Sequence, residues 1–183
     1  YTEFGVLPGG SGTRSDLVEL RDAIKAGKSR KEIFEAFPAA AIRYERSITR
    51  WIAEYDAPRN RNEPPKVVVL WGKPRTGKTR FVYDNHPEDS IWSWPGGQWF
   101  DGYKGQEVAL FDDFNGSAFP IQFMLKILDR YPRLVQIKGD HVQWKPKIIY
   151  ITSNLDPTTW YSGANIDNQK ALLERITERK YFP

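Results

Sequence analysis

Residues 70–81 read LWGKPRTGKTRF, and within them Gly72, Lys73, Pro74, Arg75, Thr76, Gly77, Lys78 and Thr79 have the Gly-x-x-x-x-Gly-Lys-Thr spacing of a phosphate-binding loop. The chemistry needs these residue types. Glycines let successive backbone N–H groups close around an anion at a helix start, Lys78 adds a point charge toward the β/γ-phosphates, and Thr79 offers a hydroxyl to Mg²⁺. Out of context, the same letters describe a Gly/Pro turn with a surface lysine. VALFDDF supplies the acidic partner such a loop requires. Asp112 is placed to hold the Mg²⁺ shell and Asp113 to orient or deprotonate an attacking water, which suits hydrolysis better than nucleotide storage. As an isolated pair, they also read as a solvated turn. Asn154, at the end of KIIYITSN, can hydrogen-bond the γ-phosphate or the same water, or serve only as a turn former.

These groups act together only if the chain brings them to one edge, and the hydrophobic patterning predicts that it does. VVVLW, EVALF and KIIYI are short apolar runs ending at Gly, acidic or Asn-bearing turns, as buried parallel strands do. Helices are predicted to open at Gly77–Tyr83, over Pro120–Arg130 and over Asn168–Arg179. In open parallel sheets ligands bind at the carboxyl ends of the strands, where Gly72, Asp112 and Asn154 fall. The expected fold is therefore α/β, a P-loop NTPase three-layer domain over residues 66–183. A tether over 1–14, a helical domain over 15–56 and a Pro-rich, charged linker over 57–65 precede it. In the helical domain Ser15 caps a helix bearing Leu17, Leu20 and Ile24, and SRKE at 29–32 is a capping box. A third helix over Ala39–Tyr55 is expected to put Ile42, Ile48, Trp51, Ile52 and Tyr55 largely on one side.

Bulk properties narrow the classes. The 183 residues are 40% hydrophobic, enough for one core and an appendage, since domains usually hold roughly 100–150 residues. The absence of cysteine excludes disulfide frameworks and thiolate metal sites and points to a reducing, intracellular compartment. No apolar run approaches the roughly 20 residues of a membrane span, so no membrane partner is expected. The net charge of +4 is spread over both halves and permits nucleic-acid contact without establishing it. The chain opens on Tyr1 and its one methionine is Met124, so it is expected to be a piece of a longer product.

The residues from Gly72 to Thr79, followed by WFDGYKGQEVALFDDFNG, LDRYP, IKGDHV, IIYITSN, TTWYS and ALLERIT, resemble the helicase region of circovirus-type replication initiator (Rep) proteins. Those proteins are members of helicase superfamily 3 within the AAA+ ATPases. The resemblance covers roughly residues 66–180. It implies a DNA helicase that uses ATP and Mg²⁺, with Asp112 and Asp113 as Walker B acids and Asn154 as the motif C sensor. It also implies that Lys138, with His141 beside it, lies on a hairpin following single-stranded DNA through a ring's pore, and that Arg175 is an arginine finger reaching a neighbour's γ-phosphate. The helical segment would be an oligomerisation collar of a hexamer, an HUH nuclease would lie upstream, and the site of action would be the host nucleus. Read from the residues alone, Lys138 is an exposed loop lysine and Arg175 half of an ion pair with Glu178.

Two positions depart from the family pattern. Arg75 stands where many such loops have Gly and is expected to resist a positive φ. Asp140 puts a negative charge beside Lys138. The histidines His86 and His141 are not paired as His-hydrophobic-His, so no nuclease is expected in this chain. Two rival functions remain. A P-loop kinase or switch should carry an Arg-rich lid and an acceptor pocket, which the sequence lacks. A helix-turn-helix DNA reader would use Arg43, Arg46 and Arg50, a face that Glu45 and Glu54 interrupt. The aromatic residues Trp92, Trp94, Trp99, Phe100 and Tyr103 read as core in preference to a base-stacking platform.

Overall fold

The computed structural model describes residues 15–183; the tether expected over 1–14 lies outside them. The chain divides between Ala57 and Pro58 into two compact units.

The first unit contains three helices, α1 (Ser15–Lys25), α2 (Arg30–Ala36) and α3 (Pro38–Tyr55). Ser29 caps α2 in a complete capping box with Glu32, which satisfies backbone donors that a helix start leaves open. Leu20, Ile24, Ile33, Ala40 and Ile48 form its core. The expected single apolar side of α3 is broken. Tyr44 has non-helical angles (φ −128°, ψ 25°), so the residues before it fall out of phase with those after it, and Ile42 is 88% exposed. Trp51 and Tyr55 are also exposed.

The second unit is built on five parallel strands, β1 (Lys66–Gly72), β2 (Ile91–Ser93), β3 (Val108–Phe111), β6 (Ile148–Ser153) and β7 (Glu178–Phe182), ordered β2-β3-β6-β1-β7. Alternating side chains serve two cores, as a sheet covered on both faces requires. Val67, Val69, Ala109, Phe111, Ile149 and Ile151 face one layer, which receives helices α5 (Ile121–Ile127) and α6 (Ile166–Arg175). Val68, Leu70, Val108, Leu110 and Tyr150 face the other with Val82 of helix α4 (Lys78–Asn85). This arrangement is a P-loop NTPase fold. Strands β4 (Leu134–Ile137) and β5 (Asp140–Gln143) form a separate hairpin.

Several sequence expectations need correction. Helix α6 ends at Arg175 instead of continuing to 179, and the residues beyond Thr177 pair with β1 as β7. α5 ends at Ile127, short of Arg130. In the stretch read as a linker, Arg59 is buried and its guanidinium donates to the carbonyls of Asp129 (2.7 Å) and Pro146 (2.9 Å). Of the aromatic cluster, Trp92, Phe100 and Tyr103 are core, with Trp92 stacked on Phe100 at 5.3 Å between ring centroids.

Candidate functional site

The carboxyl ends of β1, β6 and β3, adjacent in the sheet, carry the groups that the spacing singled out. After Gly72 the chain turns through a loop with left-handed backbone at Arg75 (φ 65°) and Gly77 (φ 88°) and enters α4 at Lys78. Arg75 therefore does adopt the conformation that a side chain was expected to resist. A non-glycine residue in this conformation carries strain of about 1 kcal/mol.

Lys78 is only 7% exposed. Its ammonium donates to the carbonyls of Gly72 (2.9 Å) and Lys73 (2.7 Å) and to Asn154 Oδ1 (3.0 Å). All three ammonium hydrogens are engaged by neutral oxygens, so a phosphate entering the loop meets a cation with no carboxylate partner among the described residues. Asn154 turns its other end to Asp113, donating from Nδ2 to Oδ1 at 3.0 Å. One amide thus joins the loop lysine to the acidic turn.

Asp112 Oδ1 accepts from two hydroxyls, Thr79 (2.7 Å) and Thr152 (2.6 Å). Both bonds fall on Oδ1, which leaves Oδ2 to other partners. A hydroxyl whose hydrogen is committed to a carboxylate presents a lone pair outward, and two hard oxygen donors side by side are the ligand type Mg²⁺ prefers. The donor set fits Mg²⁺ held by Thr79 and Asp112, and the loop with Lys78 fits the phosphates of a nucleotide.

Asp113 occupies the left-handed region (φ 53°). Its N–H donates to the Thr152 hydroxyl at 2.8 Å and the next N–H, of Phe114, to the Thr152 carbonyl at 2.8 Å. Asp tolerates this conformation better than most residues. Its effect is to aim the exposed carboxylate back toward Asn154 instead of along the strand.

The remaining predicted residues lie elsewhere. Lys138 and Gly139 form the two-residue turn of the β4–β5 hairpin, with Gly139 at φ 83°. The carboxylate beside Lys138 is Asp101, which accepts from the Lys138 N–H (2.8 Å) and pairs with Nζ at 3.4 Å. Asp140 turns its own carboxylate onto the His141 N–H. An exposed pair of this kind is worth at most about 1 kcal/mol, so it opposes phosphate contact only weakly. His141 is exposed opposite Gln136.

Arg175, at the end of α6, donates to Ala171 O (2.8 Å) and pairs with Asp129 Oδ2 at 2.9 Å. The alternative partner Glu178 pairs instead with Lys66 (2.8 Å), because Glu178 begins a strand and not a fourth helical turn.

Sequence reasoning did not identify Thr152 or Asp129. The one available signal for Thr152 is its parity, two residues before Asn154 on the same strand face. Gly72 carries a further constraint. A Cβ built there would lie 1.8 Å from the carbonyl oxygen of Phe182, so β7 ends hard against the start of the loop.

A protein-family profile described as RNA helicase matches residues 68–155. The chain is 36% identical over 167 residues to the replication-associated protein of pigeon circovirus, covering 91% of this chain and 51% of that protein. It is 33% identical over 176 residues to that of porcine circovirus 2, covering 96% of this chain and 56% of that one. The chain thus spans about half the length of the curated relatives it matches. Among solved structures, a S. cerevisiae Hsp104-ADP complex aligns at a TM-score of 0.38 and 17% identity, over 92% of this chain and 29% of that one, a similarity too slight to carry an argument.

Proposed function

We propose that this chain, similar over most of its length to the replication-associated proteins of circoviruses and over residues 68–155 to an RNA helicase family, is a circovirus-type Rep segment that hydrolyses ATP with Mg²⁺ to drive a DNA helicase in a viral rolling-circle replication initiator. The observation that carries the reading is one hydrogen-bonded cluster at three strand ends, Thr79–Asp112 and Lys78–Asn154–Asp113. A phosphate anchor, a metal-binding pair and a spare carboxylate are what in-line attack of water on a γ-phosphate requires.

The contacts support the following roles. Gly72 to Thr79 wrap the phosphates, and Lys78 exchanges neutral oxygens for phosphate oxygens as nucleotide enters. When bound, Mg²⁺ neutralises charge on the β- and γ-phosphate oxygens. Asp113, exposed and fixed by Asn154, orients the water and takes its proton. The same reading has subunits assembled as a hexamer through the helical unit, translocating on single-stranded DNA that Lys138 and His141 contact. Arg175 completes a neighbour's site only by giving up Asp129. An upstream nuclease and action in the host nucleus complete the proposal.

The test is the ATPase rate of the full chain with and without single-stranded DNA, with single-stranded RNA alongside. Stimulation by DNA and its loss in Lys78→Ala support the motor. Normal turnover by Lys78→Ala would sink the phosphate-site assignment. Stimulation by RNA alone overturns the choice of DNA, and a requirement for a small-molecule acceptor identifies a kinase.

A further inference from the structure

Thr152 hydrogen-bonds to both acidic residues of the site through its side chain. It is 2% exposed and sits on β6 beside the end of β3. Its hydroxyl has one hydrogen, which goes to Asp112 Oδ1 at 2.6 Å. That direction leaves a lone pair to accept the Asp113 N–H at 2.8 Å. The backbone carbonyl of the same residue receives the Phe114 N–H. One residue thereby fixes the rotamer of one carboxylate and the left-handed turn that aims the other.

We propose that Thr152 is a positioning residue for metal-nucleotide binding and water activation, setting Asp112 and Asp113 in register through a single hydroxyl. The proposal rests on the reading of this site as one for Mg²⁺ and a nucleoside triphosphate. Its physical basis is the polarity of that hydroxyl. Asp112 carries two hydroxyl bonds on Oδ1, from Thr79 on the loop side and Thr152 on the sheet side. With the second removed, the carboxylate can rotate about its terminal torsion, which is broad, and Oδ2 loses its aim. The Asp113 N–H would lose its acceptor in the same change, in a turn whose backbone is already strained. Both acids are then affected together, which neither Asp112→Asn nor Asp113→Asn does alone.

The comparison that isolates the hydroxyl is Thr152→Val, of nearly equal volume, against Thr152→Ser, which keeps the hydroxyl and drops the methyl. The probe is a fluorescent ATP analogue, titrated onto the full chain at rising Mg²⁺ and again in EDTA. Thr152→Val is expected to need about 10-fold more Mg²⁺ for half-maximal binding, the lower end of effects seen when groups supporting a metal ligand are removed. Its EDTA binding should match the wild type, and Thr152→Ser should stay within about 3-fold of the wild type in Mg²⁺. A purely structural role would shift thermal stability and leave the Mg²⁺ requirement where it was.

An unchanged Mg²⁺ requirement in Thr152→Val overturns the proposal, as does a Thr152→Ser protein as impaired as Thr152→Val. If Thr152→Val does not fold, Thr152→Cys takes its place, with a thiol that is a weak donor and acceptor. A wild-type Mg²⁺ response in Thr152→Cys is then the overturning result. A wild-type chain that binds the nucleotide with no dependence on Mg²⁺ overturns the site reading itself, and is distinguished from the other failures by appearing before any substitution.

Discussion

Asp113 and Asn154 show how little needs to change to separate binding from turnover. Asn has the same shape as Asp, tolerates left-handed backbone equally well, and still offers an Oδ1 to the Asn154 amide. Asp113→Asn is therefore expected to leave stability within about 0.5 kcal/mol of wild type. Mg²⁺-nucleotide affinity should be preserved, while turnover falls by roughly 10²-fold or more because the proton acceptor is gone. Equilibrium nucleotide binding and single-turnover hydrolysis on the same preparation check this. Loss of both together would mean that Asp113 also holds the metal. At this scale the loop lysine, the paired acids and Asn154 were legible because their spacing is tied to strand ends. Thr152 was not, since a buried Thr in an apolar strand looks like packing. Asp129 was not either, because its partner Arg175 lies 46 residues away in sequence.

Among the elements, β7 leaves no room for a side chain at the start of the loop. Gly72 has φ 137° and no room for a Cβ against Phe182, whereas Gly77 has φ 88° and open space around the same position. Gly77→Ala is expected to cost only backbone strain, about 1–2 kcal/mol. Gly72→Ala must displace the end of β7 and should cost more, roughly 2–4 kcal/mol, with faster hydrogen exchange along Glu178–Phe182. Equal destabilisation in denaturant titrations, with unchanged exchange in β7, would contradict this. β7 itself was hidden in the sequence. Four of its five residues, Glu178, Arg179, Lys180 and Tyr181, are exposed, so ERKY lacks the apolar run that marked the central strands and reads as a helix continued. The break in α3 was hidden for a related reason. Helical periodicity assumes one phase, and Tyr44 resets it. The central strands were visible because burial on both faces makes them uniformly apolar.

Across the whole larger unit, Asp129 gathers segments that are far apart in the chain. Partial burial alone would push its carboxyl upward. Hydrogen bonds from Arg175 and the Arg130 N–H (2.7 Å) outweigh this and hold it below the ordinary carboxylate value. A lowered folded value means that the pair's contribution is fully present above the unfolded value of about 3.9 and is lost as pH falls through the folded one. Asp129→Asn should therefore destabilise the protein by on the order of 1 kcal/mol at pH 7. The gap to wild type should close as pH drops below about 4. Unfolding midpoints of both proteins across that range test it, and a gap that persists in acid would show that the hydrogen-bond geometry matters and the charge does not.

The buried guanidinium of Arg59 has a mechanical meaning. It follows directly on the end of the helical unit and is fastened to the carbonyls of Asp129 and Pro146, which lie 70 and 87 residues further along the chain. Tension arriving along the backbone from residue 57 is therefore carried into the body of the larger unit at Arg59, before it can peel Lys66 and the rest of β1 from the sheet. The site's first strand is sheltered from pulling at its own amino end, and one of the two carbonyls that bear the load belongs to the same residue whose carboxylate holds Arg175.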